Sequence, residues 1–462
     1  MLTPTRMHMT KSEPTTLQAT SPPDSAVSNT SSVAAFGELV FNRAARRDLK
    51  VRRRRESGQV VVLVVLMIAV LCGLAGIAVD EGVFQTDRRK MQAAADSAAI
   101  AGDEEILSGN SDSIVTAALT DAGKNGFTDG SDHVTVAVNN PPQSGSYSGD
   151  NNAVEVIVSA QRPTYFLNAL GMSTINVSTR AVAHLGNAPY CIQTLNSTAF
   201  NSLSLFGVAL LQTCGIVDNS TSDHAFGIFG VALWHASSIG IVGNYDFDLL
   251  PFVSPRPVTS IAPVRDPLAR LQPPSFGGCD HTNYSLGLIS IATMNPGVYC
   301  GGITLTGAAI LHLNPGTYVI RGGGLNILGA SLITGTGVTF YITGDSTYPY
   351  KGVNIAAASV HSLTAPTSGA MEGILFFQDR NISAATAAAN PNTIVGAALA
   401  RYEGTFYFPT TTLNYTISAS VAAYTAMVAD QIKINLVAAG FVNNDYSSLA
   451  DGSPLKAVTL GE

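Results

Sequence analysis

One block near the amino terminus limits what this chain can be. Arg52, Arg53, Arg54 and Arg55 are followed by Glu56-Ser57-Gly58-Gln59, then by an uncharged run from Val60 to Val79, then by Asp80-Glu81. Twenty apolar residues rise about 30 Å as a helix, the thickness of a bilayer's hydrocarbon core. The run exceeds the roughly 7–15 apolar residues of a secretory signal, and no small-residue cleavage site follows it. A retained membrane anchor is therefore predicted. Arg43, Arg46, Arg47 and Lys50 precede the arginine cluster, whereas the first basic residues after the run are Arg88, Arg89 and Lys90. Excess positive charge stays on the cytoplasmic side. The amino terminus is thus expected in the cytoplasm and the bulk of the chain, about 380 residues, outside.

The charge balance agrees with this division. Residues up to Glu56 carry a net +5 and the rest a net −12. A basic head suits an anionic inner leaflet, and an acidic body argues against nucleic-acid binding. Charged residues make up 12% of the chain, about half the usual share. Gly, Ser, Thr, Asn and Ala fill the gap, a composition that suits a β-rich extracytoplasmic protein. Of the five cysteines, Cys72 lies within the span and Cys191, Cys214, Cys279 and Cys300 lie beyond it. An even number in an oxidising compartment reads as two disulfides. The most local of the three pairings is Cys191–Cys214 with Cys279–Cys300; free thiols and a metal site are the alternatives. No C-x-x-C spacing supports structural zinc.

Residues from Met1 to about Ala35 are rich in Ser, Thr and Pro and lack any hydrophobic period, so they are expected to be disordered. Phe84 to about Ser108 reads as a helix continuing from the span. Its Ala-dense stretch from Ala93 suits close helix packing, as an assembly surface or as a plain stalk. Ile114 to Gly123 reads as a second helix. The period then becomes two: Val134, Val136 and Val138 alternate with other residues, as do Val154, Val156 and Val158. A short helix from Arg162 to Gly171 and a returning strand from Ile175 to Ala183 would complete a small α+β module.

Beyond Pro189 short apolar runs are cut by Gly, Asn, Ser and Thr, and they repeat. Phe206-Gly207-Val208-Ala209-Leu210 recurs as Phe229-Gly230-Val231-Ala232-Leu233, an offset of 23. Asn295-Pro296-Gly297-Val298-Tyr299 recurs as Asn314-Pro315-Gly316-Thr317-Tyr318, an offset of 19. Short β-runs with a period near 20 mark a solenoid. A right-handed parallel β-helix is predicted, with Gly and Asn at the corners; a β-sandwich, pairing the same runs antiparallel, is the alternative. Val298-Tyr299-Cys300 and Ile303-Thr304-Leu305 would be successive faces of one coil, and Tyr318-Val319-Ile320 and Leu325-Asn326-Ile327 those of another. Glu403 to Pro409 and Tyr424 to Ile434 read as closing strands, and the Ala-rich stretch from Ala384 to Ala389 as an interruption or cover.

Catalytic chemistry is weakly signalled. Glycoside hydrolysis needs two carboxylates across a cleft, and the candidates are Asp246 with Asp248, Asp266, Asp280, and Glu372 with Asp379. Solvated loop carboxylates are the plainer reading, and Asp379-Arg380 reads as a structural ion pair. Cys279-Asp280-His281 places thiol, acid and imidazole side by side, but catalytic partners converge through a fold rather than by adjacency. No H-x-x-x-H or H-E-x-x-H exists. Gly322-Gly323-Gly324 and Gly335-x-Gly337 lack a lysine and a strand–helix context, so they read as coil corners, not phosphate loops. Tyr348, Tyr350, Tyr402, Tyr407, Tyr415 and Tyr424 would form either an exposed ladder for glycans or partners, or an inward aromatic stack. No catalytic residue, cofactor or metal is assigned.

Three elements together resemble a known family: Glu56-Ser57-Gly58-Gln59-Val60, the span ending in Gly73-Leu74-Ala75-Gly76-Ile77-Ala78-Val79-Asp80, and the helix Met91-Gln92-Ala93-Ala94-Ala95-Asp96-Ser97-Ala98-Ala99-Ile100-Ala101-Gly102. In order and spacing they are similar to the TadG-like amino-terminal segment of Flp pilus-assembly (tight adherence) proteins. Gly58, Gly73, Gly76, Asp80, Gln92 and Asp96 are the positions that carry the likeness; Met91 and Ile100 stand where that family usually has Leu. The resemblance covers about 45 residues and implies a bacterial envelope protein tied to pilus assembly, attachment or secretion. Some pseudopilins of such systems are cut after a Gly and carry Glu at the fifth mature position. Counted from Gly58 that position is Leu63, so cleavage there is not expected.

The chain is thus predicted to comprise a disordered basic cytoplasmic tail (1–56), a transmembrane anchor (57–80), an Ala-rich stalk helix (81–110), a small α+β module (111–186) and a β-solenoid-like extracytoplasmic body (187–462). The expected role is structural, in Flp-type pilus assembly or surface attachment. The expected partners are the inner membrane and other pilus-assembly or envelope proteins, with surface glycans a further option and nucleic acid excluded. An adhesin or glycan-binding surface module, and a polysaccharide-active β-helix enzyme, are the alternatives.

Overall fold

The computed structural model describes residues 57–208, 210–231, 233–246, 253–356, 361–395, 400–417 and 422–461. The tail predicted over 1–56, Asp248, and Ala209 and Ala232 of the repeat lie outside the described residues. The chain divides into two compact units, Met1–Leu66 and Met67–Glu462. The described residues of the first are helical and open an α-helix, Ser57–Leu107.

In the second unit that helix packs on a four-stranded antiparallel sheet. Three strands follow one another, Val134–Asn139, Ala153–Pro163 and Thr174–Asn187. The fourth, Lys456–Leu460, comes from the far end of the chain and pairs with the third. The sequence pattern closed this module before residue 187. The return is invisible to it because a five-residue strand with no repeat carries no sign of its partner. Met91, Ala94, Ala95, Ala98, Ala99 and Ile106 fall at helical spacing and are buried against Val154, Val156, Val158, Ala181 and Ala183. The Ala-dense face therefore covers the protein's own sheet. Small side chains let the helix approach: a Cβ on Gly102 would sit 3.0 Å from Val154 Cγ1. A second helix, Ile114–Lys124, adds Ile114, Ala118 and Ala122 to this core. Where a short helix was expected over 162–171, strand continues to Pro163 and only Leu167–Leu170 forms a 3-10 turn.

Between Asn187 and Lys456 the chain builds a mainly-β body whose strand-to-strand pairings are parallel, which the sandwich alternative would not give. Successive coils stack, each with short strands on three faces. Gly316–Arg321 lies on Gly297–Leu305, Val338–Thr343 on Gly316–Arg321, and Ile374–Gln378 on Val338–Thr343. The 23-residue repeat falls in register, with Phe206 opposite Phe229 and their rings stacked at 4.6 Å. Asn314 of the 19-residue repeat donates to Asn295 of the coil before it, 2.7 Å. Gly322, Gly323 and Gly324 all have φ near +70° and form a corner. There the backbone of Gly301 leaves no room for a Cβ on Gly323.

The order of stacking differs from the order of the chain. Thr425–Leu436, expected near a closing end, lies in mid-stack: one side pairs with Arg401–Ile417, the other with Tyr190–Thr194 and Leu203–Gly207. The chain thus enters the body in the middle and coils outward to Val258–Thr259. It then crosses to the opposite end and coils back from His281–Leu286 to the point of entry. Residues 260–280 make that crossing as an irregular strap with one turn at 267–270.

The strap has a defined track. Gly240, Val217, Gln193, Val428, Tyr407, Phe377, Tyr341, Val319 and Val298 are paired in register, one per coil. Eight steps of about 4.8 Å make a row of about 40 Å, within the roughly 70 Å reach of 21 extended residues. The neighbouring row, Tyr318, Phe340, Phe376 and Phe406, is buried, and its successive rings touch at 5.3–5.7 Å. A sheet covered on both faces reads as unbroken apolar runs, as in Ile374–Gln378.

Candidate functional site: the helix, its clamp and the strap

The segment from Val60 to Val79 is exposed except at Gly76. Among the described residues this is the one helix long and apolar enough to cross a membrane, by length and composition. The anchor-signature positions have separate structural duties. Asp80 is buried, and its carboxylate accepts three backbone hydrogen bonds, from Tyr165 (3.0 Å), Phe166 (2.9 Å) and Leu167 (2.7 Å). Gly76, one turn earlier, faces Phe166, and a Cβ there would lie 2.7 Å from the ring. Gln92 donates to the carbonyl of Arg180 on the third strand (2.9 Å) and to Asp96 (2.7 Å). Gly73 has nothing within 4 Å of its would-be Cβ, and Gly58 lies in the helix's first turn. Cys72 is a free, exposed thiol.

Polar groups inside the module are matched in one place and not in another. Glu155 is buried; burial would raise its pKa, but Arg180 (2.6 Å), Asn139 (2.8 Å) and the Gln143 amide bring it below the usual range. Asp103, on the helix's buried side, has no hydrogen-bond partner for either oxygen. Burial, then the charge of Asp150, push it up to about 8.

The strap is held by side chains of the body and of the helix. Gln193 donates to the carbonyls of Val264 and Arg265, both at 3.0 Å. Asn219 exchanges two hydrogen bonds with Val264. Arg380 donates to the carbonyls of Leu271 (2.8 Å) and Leu268 and to the Tyr407 hydroxyl (2.6 Å), which in turn donates to Asp266 (2.6 Å). Arg265 reaches the long helix, pairing with Glu104 at 2.9 Å and bonding Ser108. The bonded cysteine pairs are Cys191–Cys214, which joins adjacent coils, and Cys279–Cys300, which ties the strap's end to a coil.

Four of the carboxylates weighed for catalysis are engaged separately. Asp266 bonds Tyr407, Asp280 accepts from the Val298 amide, Glu372 from the Asp451 amide, and Asp379 from Thr343. Asp379 and Arg380, expected to pair, lie just past the strand end and bond these other partners instead. Cys279 is in a disulfide, and His281 stacks on Tyr299 at 4.9 Å. Asp246 ends a short strand. The exposed tyrosine ladder is not formed: Tyr350, Tyr402, Tyr407, Tyr415 and Tyr424 are buried and Tyr348 is half-buried. A cleft of about 360 Å³ opens between the strap, the 369–374 loop and the returning segment. In its lining Arg270 bonds Asn152, Lys456 bonds Asn187 and Glu372 accepts from the Asp451 amide. No group of three or more His, Cys, Asp or Glu residues able to hold a metal occurs among the described residues.

Sequence reasoning did not find the Asp80 clamp or the strap.

The molecule is therefore of a definable class: one membrane-type helix built into a small sheet, with a parallel β body inserted between that sheet's last two strands. Residues 58–111 match the family model described as putative Flp pilus-assembly TadE/G-like. The match ends just past the long helix and leaves the body outside it. No curated protein and no solved structure matches the chain.

Proposed function

We propose that this protein is a structural part of Flp-type pilus assembly or surface attachment in a bacterial envelope. The single observation behind this reading is that the family-matched helix is load-sharing with the rest of the fold. Asp80, Gln92 and the Met91–Ile106 face all bond or pack onto elements beyond residue 111. A segment of that family thus serves here as the foundation of a larger part. In this reading Val60 to Val79 crosses the inner membrane once, with the arginine cluster in the cytoplasm and the body outside. Two disulfides suit an oxidising compartment. The body is a right-handed parallel β-helix, the hand that parallel crossovers almost always take. Its role is scaffolding and not catalysis, supported by Asp266, Asp280, Glu372 and Asp379, each committed to a separate local bond.

An in-frame deletion tests the reading. Fewer surface pili and weaker adherence are expected, both restored by the full-length chain. Unchanged pilus counts and unchanged adherence would refute it.

A further inference from the structure

We propose that residues 164–175 form a foot seated in the bilayer interface beside the membrane-spanning helix, so that the protein meets the membrane at two places. The inference rests on the reading of Val60 to Val79 as a membrane span.

The loop's chemistry is unsuited to water. Tyr165 and Leu170 are 65% and 69% exposed, and Phe166, Met172 and Ile175 are exposed beside them. The uncharged stretch from Pro163 to Thr179 surrounds these residues. A cluster of large apolar side chains of this kind marks an interaction surface.

The clamp sets the depth. Asp80 ends the uncharged run and holds the amides of Tyr165, Phe166 and Leu167. Phe166 packs at Gly76, four residues back, about 6 Å along the helix toward the apolar side. That depth is the one at which interfacial segments sit. The apolar surface is continuous, because Ile77 and Val79 of the span are exposed next to it. On the other side charges begin at once, with Arg162 and Asp87 paired at 3.6 Å and Arg88, Arg89 and Lys90 beyond.

The loop's backbone is also prepared for a poorly hydrated setting. Besides the three amides on Asp80, the Thr164 amide donates to Ser173, Ala169 to Phe166, Gly171 to Asn168 and Met172 to Leu167. Irregular backbone enters a membrane region only when its polar groups are satisfied internally. The Asp80 carboxylate, with a donor on each oxygen and three in all, meets the same requirement at the apolar edge.

The test uses the full chain in vesicles of phosphatidylethanolamine and phosphatidylglycerol. An environment-sensitive fluorophore is attached to native Cys72 in one sample, and to Leu170→Cys or Leu288→Cys in a Cys72→Ser background in two others. Lipids carrying a nitroxide near the headgroup or in mid-chain are the quenchers. The proposal predicts strong quenching at position 170 by the headgroup-proximal nitroxide, quenching of the Cys72 label by the mid-chain one, and none at position 288. A position 170 label as unquenched as that at 288, with the Cys72 label quenched, overturns the foot and leaves the anchor standing. An unquenched Cys72 label overturns both.

Discussion

The carboxylate of Asp80 accepts the amide hydrogen of Leu167 at 2.7 Å across 87 residues of sequence. With the amides of Tyr165 and Phe166 it forms a three-donor clamp that joins the end of the apolar helix to the module built on it.

Asp80→Asn removes the charge and one acceptor from that clamp. A hydrogen bond to a charged group is worth about 1.5–3 kcal/mol. Amide exchange at Tyr165, Phe166 and Leu167 in detergent or vesicles is therefore expected to speed by about tenfold to a hundredfold. Exchange at Val154 and Val156, in the sheet, should hardly change.

Asp103 gives a pH dependence with a defined sign. Its carboxyl titrates at about 8 in the folded protein, pushed up by burial and Asp150, and near the ordinary 3.9 when unfolded. The raised value makes its contribution to stability fully present below about pH 4 and progressively lost as pH rises through about 8. Asp103→Asn should therefore melt higher than the wild type at pH 8, by about 2–4 °C for each kcal/mol recovered. The difference should shrink toward pH 4, as thermal melts across that range would read.

Arg380 holds two strap carbonyls and the Tyr407 hydroxyl with three donors. Arg380→Ala leaves the Tyr407 hydroxyl and two strap carbonyls without their donor beneath the strap, a cost of about 2–4 kcal/mol. Limited proteolysis should then cut within residues 260–280 at least about tenfold faster than in the wild type. Arg380→Lys, which restores the charge without the planar fork, should fall between the two.

How much of this was readable follows from what each signal is made of. The Phe206/Phe229 repeat lands in register because neighbouring coils bury equivalent side chains at equivalent positions. The glycine corners were legible for the same reason: stacked corners leave no room for a side chain. The pairing of Ile432 with Leu203 was not legible, since a period says that coils stack but not that a late coil lies on the first. Nor was the strap, which has no period; its trace is indirect, in runs such as residues 374–377 that stay apolar on both faces. The Ala-rich helix was read as an assembly surface or a plain stalk, but it packs on the protein's own sheet, because composition signals close approach without naming the partner. The Asp80 clamp was hidden because backbone amides, which leave no mark in a sequence, do the binding.

The central claim is architectural: a small module built on the apolar helix carries the β body as an insertion between two adjacent strands. Asn187 and Lys456 lie directly opposite each other in the antiparallel pair, where a two-residue turn would fit. The most direct test replaces residues 188–455 by Asn-Gly in the full chain and follows amide exchange in detergent. The account predicts slow exchange at Ala181, Ala183 and Leu185, with cooperative unfolding of the shortened protein. Loss of protection across that strand, with no cooperative transition, would contradict it.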